Sequence, residues 1–239
     1  MEEQKRIRSY FWGYDVFGYL LPGAVLALVA AKTNSWVYEQ VVGHWHIEDA
    51  TIGIYLIDFL VLIFFVYILG HIISGFSSLI LERLLLRNTF KYPTYRMFKD
   101  GNYPEVPKWK DILFPGYFRA YSPTFQQSFY EKFDKKFESL NRDTHDLFWV
   151  SFSYISKNHP VAYKRATHFL ELYGFSRNIS MSFILIATLP LFPYWDENFI
   201  NQWILSGTSL LIAFIMFVNY TKLLRRLNDE VFRAFYVCD

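Results

Sequence analysis

The sequence predicts an all-α, four-span transmembrane helical protein with a mainly helical cytoplasmic insertion between spans 2 and 3. Three observations predict it. Four long apolar stretches, Val16–Ala31, Thr51–His71, Ile179–Trp195 and Trp203–Tyr220, alternate with charged segments. A spanning helix needs about 20 mostly apolar residues to cross a hydrocarbon core of about 30 Å. If all four cross, Lys32 stands alone in a loop on one side, and the rest of the 24 Lys and Arg residues share the other. Such excess of positive charge marks the cytoplasmic face, so both termini are expected there. The composition agrees: 53% hydrophobic is high for a soluble domain, yet 19% charged requires a part in water.

These boundaries divide the chain into residues 1–72 (N-terminus and spans 1–2), 73–177 (a cytoplasmic helical domain), 178–220 (spans 3–4) and 221–239 (a cytoplasmic C-terminal tail). Residues Ile73–Arg177 hold 16 basic and 10 acidic side chains, a surplus that the overall balance of +2 conceals. A basic domain tethered at the cytoplasmic leaflet is attracted to anionic head groups. Nucleic acid attracts the same charge, so it enters only as an indirect partner.

The N-terminal segment has a basic start and then an apolar stretch, but no small-x-small cleavage site follows, and the stretch reads as a retained span. Within it, Pro22 removes a backbone hydrogen bond and opposes the carbonyl of Gly18, four residues back, so a kink is expected. Membrane helices tolerate this when a neighbour re-satisfies the freed carbonyl. Gly23, Ala27 and Ala31 recur every four residues and form a face that a second helix can approach closely. Asp15, at the cytoplasmic mouth, is expected to cap the helix.

Trp36, Trp45, Trp195 and Trp203 flank the outer turns at the level of an interfacial aromatic belt. His44, His46, Glu48 and Asp49 lack the spacing of a metal site, since two His at i, i+2 converge only on a strand. No metal and no cofactor is expected. The lone Cys238 forms no internal disulfide.

Asp58 is the one acidic residue well inside an apolar stretch. Burying an ionisable group there costs at least about 2.5 kcal/mol, which makes it a functional candidate by default. Thr208 and Ser209 on the fourth stretch lie at a similar depth and offer hydroxyls to it. Without a second buried charge to complete a relay, packing is the expected role.

Apolar residues continue past His71, so the second helix should leave the membrane and run on, with Arg83 and Arg87 at lipid phosphates. From Asn88 to Pro123, prolines interleaved with Tyr and Phe rule out a long helix. Ser122 before Pro123 is an N-cap followed by proline at the first helical position. Phe125, Phe129, Phe133 and Phe137 then form one apolar stripe, read as core. Further helices are expected over Asp143–Lys157 and Pro160–Arg177, the latter feeding directly into the third span.

Two pairs, Arg142/His145 and Arg165/His168, are similar to the Arg/His pairs of HEPN-type ribonucleases, which flank a scissile phosphate. That family spaces them by four to six residues; here there are two, a spacing that still shares one helix face. No Gly-rich phosphate loop, HExxH or nucleophile elbow is present, and no catalysis is expected. Transporters show inverted repeats and paired broken helices, which this chain lacks.

Three stretches, Tyr14–Gly23 (YDVFGYLLPG), Leu69–Ser74 (LGHIIS) and Glu171–Asn178 (ELYGFSRN), together resemble small multi-span bacterial inner-membrane proteins that accompany phage-defence and CRISPR systems. The resemblance implies an oligomeric inner-membrane component of an antiviral system, acting with a soluble protein partner to sense or perturb the membrane. A non-conducting anchor that recruits a soluble effector is the alternative, and a membrane-tethered HEPN-like ribonuclease using one of the Arg/His pairs is the weaker one. No catalytic residue carries over.

Overall fold

A computed structural model describes residues 15–33, 52–98, 106–137, 144–191 and 199–238. Every regular element among them is helical: α1 (Val16–Leu20), α2 (Leu21–Thr33), α3 (Ile52–Ser77), α4 (Ser78–Phe90), α5 (Pro93–Met97), α6 (Lys108–Leu113), α7 (Pro123–Lys136), α8 (Thr144–Asn158), α9 (Pro160–Thr188) and α10 (Phe199–Val237). α1 and α4 are wound more widely than an α-helix, and a 3₁₀ turn at Leu189–Leu191 follows α9. The chain divides into one unit of residues 1–82 and 174–217 and a second of 83–173 and 218–239.

Two segments are long and apolar enough to cross a membrane, Phe59–Met97 and Asn201–Val237, and Val16–Lys32 is a shorter apolar helix. The third expected span is not among them. Past Arg177, α9 runs on to Thr188, about 16 Å of helix, and residues 192–195 of the expected span lie outside the described residues.

In the first unit that end of α9 is central: Ser176–Ser182 are buried without a break. A helix covered all round shows no amphipathic stripe. α3 instead turns Phe59, Leu60, Val61, Phe64 and Phe65 outward, and α10 turns out Trp203, Leu210, Leu211, Phe214 and Ile215. Apolar surface thus surrounds a centre containing serines, an asparagine and an arginine.

The second unit is built on the phenylalanine stripe. Ser122 accepts a hydrogen bond from the Phe125 amide at 3.3 Å and Pro123 opens α7, as the cap signal predicts. Phe129 and Phe133 are fully buried, with Phe125 and Phe137 half-buried beside them. Residues 221–237, expected as part of a tail, are the last turns of α10. Their Leu227, Val231, Phe232 and Phe235 enter the same core as Met97, Phe98, Leu147 and Ile155. Phe232 meets Phe98 and Phe129 edge-on, with ring centroids 4.9 and 5.5 Å apart. The Lys132 ammonium donates to the carbonyls of Tyr236 and Cys238 at 2.9 and 2.8 Å, capping the C-terminal end of α10.

α3 and α4 form the continuous helix expected to run past His71. It stops where Lys91, at φ 62°, adopts the left-handed conformation and donates its N–H to the Leu86 carbonyl at 2.8 Å. Beyond it, the proline-rich segment carries only the short helices α5 and α6.

Candidate functional site

Pro22 has no N–H for the carbonyl of Gly18, and α1 is the wide turn just before it. The freed carbonyl accepts a hydrogen bond from Asn178 Nδ2 at 2.7 Å, with Gly18 and Asn178 both buried. The carbonyl that Pro22 leaves free is therefore satisfied by a side chain of the central helix. Asn178 Oδ1 lies 2.5 Å from the Ser77 hydroxyl, which has the Ser74 carbonyl as its other acceptor, at 2.9 Å. One carboxamide thus ties the first helix to the second through donor and acceptor atoms that are not interchangeable.

Beside it, Arg177 Nη1 sits 2.6 Å from Glu82 Oε2, with side chains only 10% and 21% exposed. Arg177 Nη2 also reaches Ser74 Oγ at 3.4 Å. A buried ion pair contributes little net stability, but loss of either partner leaves an uncompensated charge. Deeper in the unit, the Ser182 hydroxyl lies 3.1 Å from the carbonyls of both Pro22 and Asn178. Ser180 donates to the Ala213 carbonyl at 2.8 Å and Ser206 to that of Ala187 at 3.0 Å, tying α9 to α10.

Residues of the segments 15–23, 69–74 and 174–178 meet here. Phe17 lies edge-on to Phe175 at 6.2 Å, and Tyr19 stacks on His71 at 3.9 Å. Gly23 and Gly70 mark a close backbone approach: a Cβ on Gly23 would collide with the Val66 carbonyl, and one on Gly70 with that of Tyr19. Of the small-residue face expected from Gly23, Ala27 and Ala31, Gly23 makes this close approach, with Gly70 as its counterpart.

The residues singled out from sequence fare differently. Asp15 does not cap: the chain is already helical there, and its side chain makes no capping hydrogen bond. Asp58 lies in α3, but its side chain falls outside the described residues. Thr208 is exposed and donates to the carbonyl of Ile204 at 2.7 Å in its own helix, whereas Ser209 is buried. Arg142 falls outside the described residues, as do the His145 side chain and His44–Asp49. Arg165 and His168 are 66% and 63% exposed, and each faces its own carboxylate, Glu230 at 3.6 Å and Glu171 at 4.0 Å. Burial raises the Glu171 carboxyl above its ordinary range, and His168 partly offsets this.

The sequence reading named Ser74, Arg177 and Asn178 only within the resembling stretches and gave Glu82 no role. Glu82 and Arg177 are 95 residues apart, and no local pattern links them. Comparison with protein-family models, with curated proteins and with solved structures gave no match.

Proposed function

We propose that this chain is a four-span inner-membrane protein with cytoplasmic termini, without catalysis of its own, that works as a homo-oligomer with a soluble partner. The observation that carries the reading is the inverted polarity of the first unit. Apolar side chains face outward on α3 and α10, and the polar network of Arg177, Glu82, Asn178 and the serines lies inside. In water an exposed apolar surface of that extent is a liability, whereas in lipid it is the solvated face. Intramembrane polar groups, in turn, turn inward and pair.

The resemblance of the three stretches supports an antiviral role, in which the partner engages the cytoplasmic part and the spans sense or perturb the membrane. The backbone contact of Gly23 and Gly70 favours one alternative, a non-conducting anchor that recruits its effector. Reporter fusions after Ser35 and after Pro107 test the topology: opposite compartments are expected, and a shared compartment overturns it. Ion flux in liposomes holding the purified protein separates membrane perturbation from anchoring. Phage plating with and without the gene tests the antiviral role.

A further inference from the structure

The second unit contains a cleft of about 570 Å³ between the Pro115–Ser122 segment and one face of α10. That volume is within the range of small-molecule sites. Its charge is one-sided. Arg119 contributes from one wall, and Lys222, Arg225, Arg226 and Arg233 from the other, against a single carboxylate, Asp229. Both oxygens of that carboxylate are occupied: Tyr121 donates its hydroxyl to Oδ1 at 2.7 Å, and Arg225 Nε lies 3.4 Å from Oδ2. Among the described residues, Arg119, Lys222, Arg226 and Arg233 form no ion pair, and all four are exposed.

Arg225 differs from the other four. It is buried, its guanidinium lies 5.5 Å from the Tyr121 ring centroid, and its Nη1 reaches the Tyr117 carbonyl at 3.5 Å. Arg225 and Asp229 therefore brace the floor, and four uncompensated cations stand around it. Convergent guanidinium groups favour phosphate, whose oxygens accept paired N–H donors. We propose that this cleft binds a phosphate-bearing anion, either the head group of an anionic lipid or a soluble polyphosphate of the same chemistry. Lys222, Arg225 and Arg226 follow directly on the apolar stretch of α10, the position at which basic residues meet anionic head groups. The lipid source rests on the membrane reading above, whereas the soluble source does not. The charge is gathered in one cleft rather than spread along a track, which disfavours an extended nucleic-acid strand.

Isothermal titration of the full chain in neutral detergent, with short-chain phosphatidic acid and with inorganic pyrophosphate, tests the proposal. At least one probe is expected to bind saturably. The combined variant Lys222→Gln/Arg226→Gln/Arg233→Gln should weaken that probe at least about tenfold, given the small individual worth of exposed charges. Arg119→Gln, on the opposite wall, should weaken it in the same direction. Lys164→Gln, an exposed cation of the same unit outside the cleft, should leave it unchanged. Binding of the lipid alone assigns the membrane source, and competition by pyrophosphate assigns a site open to soluble anions. The proposal is overturned if neither probe binds, if Lys164→Gln weakens binding equally, or if a single-stranded RNA oligonucleotide alone binds.

Discussion

The side-chain amide of Asn178 donates to the carbonyl of Gly18, the group that Pro22 leaves without its helical donor. A residue on the central helix thus completes the hydrogen bonding of the first helix across 160 positions of sequence. The proline at 22 and the asparagine at 178 form one device.

That pairing makes a double-mutant prediction. Asn178→Ala should destabilise the protein by about 1–3 kcal/mol, because it leaves a buried carbonyl and the Ser77 hydroxyl without this partner. Pro22→Ala restores an N–H to the first helix. In that background the penalty of Asn178→Ala should shrink by about 1 kcal/mol, the signature of coupled sites. Unfolding in detergent, followed by circular dichroism for all four variants, measures the cycle. Strictly additive penalties would count against the coupling.

Glycine substitutions should divide sharply by place. Gly70→Ala drives a methyl group into the Tyr19 backbone, which cannot rotate away, and should cost about 1–3 kcal/mol or more. Gly75→Ala, in the same helix with nothing near its Cβ, should be neutral or stabilise by roughly 0.5–1 kcal/mol. Thermal midpoints of the two variants decide it, and equal values would refute the close approach.

In the second unit, Phe129→Ala should cost about 3–5 kcal/mol, since the ring is wholly enclosed by Phe98, Phe232 and Phe235. The loss should appear as protease sensitivity of the segment between the second and third apolar stretches. An Ala variant as protease-resistant as the parent would remove Phe129 from the core.

Much of this unit was legible in the sequence. Ser122-Pro123 is a local signal, because a cap and a proline act within one turn, and the four-residue phenylalanine spacing names a face without naming its partner. The periodic Leu223, Leu224, Leu227, Val231, Phe232 and Phe235 carried the same kind of signal, masked by the charges among them that suggest a solvated tail. The third apolar stretch is less legible for a physical reason: a helix covered by other helices and one facing lipid are both apolar, and hydropathy does not separate them. Its Ser180 and Ser182 each bond inward to a carbonyl, a tertiary feature that hydropathy does not register. The Glu82–Arg177 pair was out of reach, because only tertiary packing brings it together.

Alkaline pH should weaken the second unit. Burial, together with the hydrogen bond to Asp229, raises the Tyr121 hydroxyl well above its ordinary value of 10.0, and burial does the same to Tyr117. The folded state then holds protons that the unfolded chain releases above about pH 10. Stability should be level below that point and fall as pH rises past it. Tyr121→Phe should lose about 1 kcal/mol at neutral pH with its hydrogen bond, and should show a shallower alkaline decline. Denaturant midpoints between pH 8 and 11 measure both, and an unchanged slope in Tyr121→Phe would refute the assignment.

Where Gly23 and Gly70 meet, backbone lies against backbone with no side chain between. A gate made of side chains opens by swinging a rotamer, but this seam offers none to swing. Leakage along it would require the first two helices to part as whole rods and break the Asn178 tie on the way. Any path for ions through an assembly of this protein must therefore run along some other surface, and a single copy is sealed at that seam by its own main chain.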